Sequence, residues 1–161
     1  ISILKKFIKS KANQTDLKLN NCKIVNKDEF AYVTVTSRNG NKISIALMED
    51  KAAIVSSTYI VFKVKKTEKL LPKYLLLWFK RDEFDRYARY HSWGSARETF
   101  SWDNLCEIKL PIPSIDIQKS IIEIHDILEG KKFLDNEFGK IINSFCPTAI
   151  QGARDSLNSV K

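Results

Sequence analysis

The chain has 161 residues, enough for one domain with an appended element. Apolar residues make up 43% of it, which supports a packed core, and five glycines and four prolines are too few for a disordered or collagen-like chain. The formal net charge of +8 favours a polyanionic partner, although many basic proteins have no such partner. Residues 1–113 hold 21 Lys and Arg against 12 Asp and Glu, a net of +9, whereas residues 114–161 hold 6 against 7, a net of −1. We therefore assign the positive field to the first part.

The number and spacing of the cysteines and the hydropathy of the chain indicate its cellular compartment. The three cysteines, Cys22, Cys106 and Cys146, are odd in number and lack a C-x-x-C spacing. This pattern disfavours a disulfide framework or a zinc site and indicates a reducing, cytoplasmic environment. The apolar run at 70–79 is about half as long as a bilayer requires and contains Lys73, so we expect no membrane contact.

The first half of the chain predicts short strands joined by hairpins. The clearest strand is 29–36, where Phe30 and Tyr32 share one face and Ala31 lies on the other. An Asn-Gly pair within 38–41 predicts a tight turn, after which the chain returns as a partner strand. The remaining predicted strands are 1–8, 22–25, 42–48, 52–55 and 59–64.

The apolar period then changes to that of helices. Pro72 is tolerated at a first helical position and predicts a helix start, while Gly94 interrupts the second helix. Ser101 is a suitable N-cap for a short helix. Pro111 is predicted to end the strand that follows that helix. The elements predicted here are a helix from Pro72, helices at 82–90 and 102–106, and a last strand at 107–110.

From Ser114 the chain becomes helical again, and its apolar residues follow a heptad in which Lys131 is the one polar member of seven a and d positions. Such a narrow seam is typical of a helix that pairs with another helix; packing on its own domain is the alternative. Gly130 and Gly139 weaken the helix by about 1 kcal/mol each, so a packing partner must compensate. Pro147 is predicted to end the helix. The predicted helix-pairing residues are Ile124, Ile127, Leu134, Phe138, Ile141 and Phe145.

These elements predict an α+β fold, with a mixed, β-rich domain that contains small helices and is followed by a long C-terminal helix for coiled-coil pairing. The expected boundaries are 1–113 for a nucleic-acid recognition domain and 114–146 for the spacer and dimerisation helix. A flexible tail is expected at 147–161.

The sequence contains no recognisable catalytic motif. It has no phosphate-loop motif, no G-x-G-x-x-G turn and no G-x-S-x-G elbow. The two histidines, His91 and His125, lack ligand spacing to cysteines or carboxylates. Asp126 with the segment 129–131 only faintly echoes the acidic-x-Lys arrangement of metal-dependent nucleases. We therefore predict no catalytic residue, no metal site and no cofactor held by this chain.

Binding chemistry is better represented, above all in 87–97, where cations, aromatic rings and small residues alternate. Trp93 offers stacking and Arg97 a bidentate guanidinium, a combination that suits phosphates and base edges. The predicted DNA-binding residues are Arg38, Asn39, Lys42, Ser57, Arg86, Arg89, Tyr90, Trp93, Ser95 and Arg97.

Several of these residues also have a structural interpretation. Arg86 and Arg89 are spaced to form i,i+4 ion pairs with Asp82 and Asp85, which is an equal alternative to phosphate binding. Asn39 is more simply explained as a turn residue. The hydroxyl run that contains Ser57 suits either phosphate contacts or a plain β-turn.

Several segments together closely resemble a target-recognition domain of a type I restriction–modification specificity subunit. They are FAY at 30–32, SRNG at 37–40, IVSSTY at 54–59, LPKYL at 71–75, WF at 78–79, EFDR at 83–86, GSAR at 94–97 and LPIPS at 110–114 with Gln118. The resemblance covers roughly residues 1–145. Its most specific parts are the leucine–proline–tyrosine helix start and the Pro-x-Pro segment that leads through Gln118 into a long helix.

The resemblance implies a non-catalytic protein with defined partners. Such subunits carry two recognition domains, each reading half of a bipartite DNA site, separated by long helices that pair as a coiled-coil spacer and dock methyltransferase subunits. S-adenosylmethionine, ATP and Mg²⁺ would belong to the methyltransferase and restriction subunits. Only one recognition domain and one spacer helix are present here, so we expect a half-subunit, a truncation or a fragment, and possible pairing as a homodimer through the heptad seam.

Three functional hypotheses follow. The first is a specificity subunit, or half-subunit, that binds double-stranded DNA sequence-specifically and directs methyltransferase and restriction subunits. The second is a truncated adaptor that docks methyltransferase subunits through its helix without reading DNA. The third, a nuclease with a cryptic site, has the least support. The choice of Arg38, Arg89, Trp93 and Arg97 rests on side-chain chemistry and not on the resemblance.

Overall fold

The computed structural model describes residues 1–2, 4–8, 22–36, 42–95 and 97–158. They form small antiparallel sheets and helices in two compact units, Ile1–Lys119 and Ser120–Lys161, which confirms the predicted α+β class. The strands are β1 (Cys22–Val25), β2 (Glu29–Val33), β3 (Ile45–Leu47), β4 (Ala53–Ser56) and β5 (Tyr59–Lys63). The helices are α1 (Pro72–Phe79), α2 (Asp82–Tyr90), α3 (Trp102–Cys106) and α4 (Ile115–Asn158).

Strand β2 is the centre of the first unit. It pairs antiparallel with both β3 and β5 in a three-stranded sheet, with Phe30 opposite Leu47 on one side and Phe62 on the other. The predicted pairing of 29–36 with the segment after the Asn-Gly turn is therefore confirmed. The expectation of simple consecutive hairpins is wrong for β4, which pairs with β1 in a separate sheet while β5 pairs with β2. In that position Ala53 and Val55 pack against the cluster that contains Val25.

Both faces of β2 are buried, with Phe30 and Tyr32 on one face and Ala31 on the other as predicted. Phe30 and Tyr32 belong to the larger apolar cluster, which also contains residues of all three short helices. Ala31 belongs to a second cluster with Val25 and Met48. Because successive side chains of a strand point to opposite faces, one strand supplies the centre of two cores.

The predicted helix boundaries in this unit are confirmed where a local signal fixes them. Pro72 lies in the first turn of α1, and α2 covers the predicted residues 82–90. Ser101 caps α3, since its Oγ accepts a hydrogen bond from the Asn104 N–H at 3.1 Å.

The predicted strand at 1–8 is wrong for the residues described there. Lys5 has a positive φ of 57°, and its side chain is 3% exposed. Its ammonium donates to the Phe79 carbonyl and lies 2.7 Å from Asp85 Oδ1. Burial lowers the pKa of Lys5, although the Asp85 carboxylate opposes that shift. The segment therefore bends to bury one lysine instead of extending along a sheet.

The predicted strand at 107–110 is also wrong. Ile108 and Leu110 pack against the larger cluster, but no sheet pairing includes them. Their alternation reflects packing against this cluster, and the segment leads into Pro111 and Pro113, which lack N–H donors.

Helix α4 continues to Asn158, so the prediction that Pro147 ends it is wrong. A proline removes one N–H donor from the helix interior, and the helical backbone extends beyond that position. The boundaries 1–113, 114–146 and 147–161 stay predictions. Within the described residues no helix combines the length and hydropathy needed to cross a membrane.

Gln118 joins the first turn of α4 to the segment that precedes α1. Its side chain is fully buried, and Nε2 donates to the carbonyls of Lys69 and Pro113, both at 2.8 Å. Its Oε1 accepts from the Leu71 N–H at 2.9 Å, which satisfies the backbone at the N-cap of α1. One amide thus pairs three backbone groups.

We predict that Gln118→Ala lowers the free energy of unfolding by about 3 kcal/mol, because three buried backbone groups lose their partner. Asn136→Ala, at an exposed amide of α4, should cause no loss. Urea unfolding followed by circular dichroism measures both. A loss below about 1 kcal/mol for Gln118→Ala would contradict this role.

Candidate nucleic-acid interface

Connections between strands leave the three-stranded sheet at one end. Strand β2 ends at Val33, opposite Tyr59, which begins β5, and Tyr32 lies opposite Ile45, which begins β3. Residues 34–36 after β2, residues 42–44 before β3 and the turn at 57–58 before β5 therefore lie at the same sheet end.

A further segment is bonded to this end. The Phe100 N–H donates to the Thr34 carbonyl at 2.8 Å, and Val35 forms a bridge with Thr99. The Thr36 N–H and Oγ1 both donate to the Glu98 carbonyl, at 2.9 and 3.2 Å. The backbone continuing β2 thus holds the end of the loop that begins after α2.

The loop between Trp93 and Thr99 is closed by its own backbone. These two residues exchange N–H to carbonyl hydrogen bonds of 3.2 and 3.0 Å. Gly94 has a φ of 138°, and a Cβ there would lie 2.3 Å from the Arg97 carbonyl oxygen. Only glycine fits this conformation. The Trp93 side chain is 70% exposed at the start of the loop.

The structure brings together part of the predicted site. Trp93, Ser95 and Arg97 are exposed on one loop, and among the described residues Arg97 forms no ion pair. Ser57 is exposed in the turn between β4 and β5, at the sheet end defined above. Tyr90, at the end of α2, is 76% exposed.

Three further predicted residues, Arg38, Asn39 and Lys42, come from the segment between β2 and β3. Arg38 and Asn39 lie outside the described residues. Lys42 lies between that turn and β3, with its Nζ 3.8 Å from Asp82 Oδ1. The Lys42 and Asp82 side chains are exposed, and an exposed ion pair of this length holds a side chain only weakly.

The two arginines of α2 are paired, but not as predicted. Asp85 is buried beside Lys5, where its Oδ1 also accepts from the Ile43 N–H at 3.1 Å. Neither pair of the i,i+4 alternative is present among the described residues, because Asp85 is bonded to Lys5 and Ile43 and the Asp82 carboxylate lies 3.8 Å from Lys42. Arg86 lies 3.6 Å from Glu83, and the Arg89 guanidinium instead pairs with Glu98.

Sequence reasoning missed two residues at this surface. Lys23 is exposed on β1, and its Nζ donates to the Tyr59 carbonyl at 2.7 Å, beside the turn that contains Ser57. Glu98 contacts both Arg89 and Thr36. Only the pairing of β1 with β4 and of 98–100 with 34–36 reveals these positions, and neither pairing has a local sequence signal.

The predicted helix-pairing residues lie in the second unit and are all exposed. Their exposed fractions range from 49% at Ile141 to 67% at Phe145. Ile142 and Leu128, one position after predicted seam residues, are 57% and 53% exposed and widen this apolar stripe. In the part of the chain that the structure describes, no group of three or more His, Cys, Asp or Glu side chains is arranged to hold a metal ion.

The family of type I restriction modification DNA specificity domains matches residues 3–140 of the chain. This match covers most of the sequence, and the chain therefore belongs to that family, as the resemblance predicted. The family is that of the specificity component of these systems. No curated protein sequence shows significant similarity to the chain.

We predict that Gly94→Ala lowers the free energy of unfolding by about 2 kcal/mol, because the new Cβ would collide with backbone at a φ that other residues avoid. Gly139→Ala is the matched control: apart from the adjacent backbone of its own helix, no described atom lies within 4 Å of the Cβ that alanine would add, and alanine favours the helix. Urea unfolding followed by far-ultraviolet circular dichroism provides the readout for both variants. Equal effects of the two substitutions would contradict the close contact at Gly94.

Proposed function

We propose that this chain is the DNA-reading, non-catalytic specificity subunit, or half-subunit, of a type I restriction–modification complex. It binds double-stranded DNA sequence-specifically and directs methyltransferase and restriction subunits to a bipartite site. The observation that carries this proposal is the cluster of cationic, aromatic and hydroxyl side chains at one end of the central sheet of a type I specificity domain.

The side chains of this surface divide into two roles. Lys23, Lys42 and Ser57 suit phosphate oxygens, which position a duplex without reading it. Trp93 and Arg97, on the closed loop, suit base edges, since a guanidinium makes bidentate hydrogen bonds with guanine. The backbone bonds of the loop fix its geometry before DNA arrives, which limits the entropy lost on binding.

The long helix provides the proposed partner surface. The exposed apolar residues of α4 favour pairing with another helix, either in a second copy of this chain or in the partner subunits. Two copies would present two reading domains, as a bipartite site requires. S-adenosylmethionine, ATP and Mg²⁺ would be bound by the methyltransferase and restriction subunits, in the cytoplasm.

Methylome sequencing of cells with and without the gene tests the proposal. We expect one bipartite adenine-methylation motif to disappear with the gene. An unchanged methylome would contradict it. Helix-dependent association with methyltransferase subunits, without duplex affinity, would support the adaptor alternative instead.

We predict that Arg97→Ala and Trp93→Ala each weaken binding of the selected duplex by about tenfold while leaving the fold intact. Lys140→Ala is a control, since this lysine lies on α4 and pairs with Glu137. Fluorescence anisotropy with the chain in complex with its methyltransferase subunits measures the affinity, and circular dichroism reports the fold. Unchanged affinity in both variants would exclude this loop as the reader.

We predict that Phe138→Asp disrupts helix pairing, because it places a charge in an apolar seam. Phe133→Asp is the matched control: Phe133 is 64% exposed and Phe138 60%, but Phe133 lies outside the a and d positions. Analytical ultracentrifugation and capture of methyltransferase subunits compare them. Equal behaviour of the two variants would refute the assigned seam.

A further inference from the structure

Glu98 is a carboxylate within the surface proposed to face DNA. A negative charge at that place repels phosphates, so it weakens binding unless it has another role. Its neighbours indicate that role, because both its backbone and its side chain form specific contacts.

The backbone of Glu98 is fixed to the sheet. Its carbonyl accepts two hydrogen bonds from Thr36, which is 3% exposed, and Thr99 and Phe100 continue the same pairing. The Glu98 side chain therefore extends from a backbone position that is held by hydrogen bonds.

The side chain of Glu98 forms an ion pair with Arg89, in the last turn of α2. Both groups are only partly exposed. The contact joins a helix to a loop, whereas the pair between Arg86 and Glu83 connects two residues of one helical turn. Glu98 therefore fixes the direction of the Arg89 guanidinium relative to the loop between Trp93 and Thr99, which we call the reading loop.

An arginine can discriminate bases or bind phosphate. The conformational freedom of its side chain decides which of the two it does. A guanidinium has five N–H donors, and a carboxylate on one edge leaves the others in a fixed plane. A fixed plane suits the two acceptors of guanine, while an unrestrained arginine reaches the nearest phosphate without regard to sequence.

We infer that Glu98 is a positioning residue that sets sequence discrimination by holding Arg89 away from phosphates and in a fixed orientation for a base. This inference rests on the proposed function. Glu98 acts through Arg89 and does not itself need to contact DNA.

The test compares Glu98→Gln with wild type in complex with methyltransferase subunits. The probes are a duplex that wild type selects from a random pool and a shuffled duplex of equal length and composition, titrated over a range of salt concentrations. For Glu98→Gln we expect about tenfold weaker binding of the selected duplex and about threefold tighter binding of the shuffled one. The salt slope for the shuffled duplex should steepen by about 0.9, for one added phosphate contact.

Two controls separate this role from others. Glu83→Gln removes the same charge from a carboxylate that pairs with Arg81 and Arg86 and, among the described residues, makes no ion pair with the loop at 93–99. If Glu98→Gln acted only by removing a charge, both variants would bind both duplexes more tightly and to the same extent. In an Arg89→Ala background, Glu98→Gln should cause no further loss of discrimination. Parallel weakening of both duplexes by Glu98→Gln would indicate only a loosened loop and would overturn the inference.

The outcomes also separate the inference from the proposed function. If wild type selects no duplex from the pool, the proposed function fails. If wild type selects one and Glu98→Gln retains the same ratio of affinities, only the role of Glu98 fails.

Discussion

The burial of β2 on both faces constrains the first unit more than any other feature. Phe30 and Tyr32 fix one face in the larger cluster, and Ala31 fixes the other. A shift of the strand by one residue would force the two rings into the space that Ala31 occupies and would leave a cavity in the larger cluster. Because its register is fixed, the positions where β3 and β5 begin are fixed as well. The location of the proposed reading surface follows from this register, because the segments that precede β3 and β5 lie at the end of β2.

A second constraint acts from beneath this surface. Asp85 accepts from both Lys5 and the Ile43 N–H, and thereby joins the first residues of the chain, α2 and the segment before β3. A buried ion pair adds little net stability, but loss of one partner leaves an uncompensated charge. The network is therefore better understood as fixing the position of α2, and with it Arg86 and Arg89, than as a source of folding energy.

Local signals made part of this structure predictable from sequence. Pro72 marks the start of α1, Ser101 caps α3, and the alternation at 29–36 identifies which residues of β2 share a face. The pairing of β4 with β1 was not predictable, because the short turn before β5 favours a hairpin and only burial against the second cluster decides otherwise. The ion pair at the site was not predictable for the same reason. The i,i+4 spacing offered Arg89 a partner on its own helix, whereas in the structure it pairs with Glu98, whose backbone is bonded to the segment that continues β2.

The reading loop combines a fixed backbone with replaceable side chains. Trp93 and Thr99 are joined through main-chain atoms, and Thr36 donates its hydrogen bonds to the carbonyl of Glu98, so these bonds do not depend on side chains at 93, 95 or 97. Gly94 is the exception, because its conformation admits no Cβ. Substitutions at the exposed positions can therefore change the chemistry presented to a duplex while the fold is retained. This separation is what a protein needs if its sequence preference is to change without loss of its scaffold.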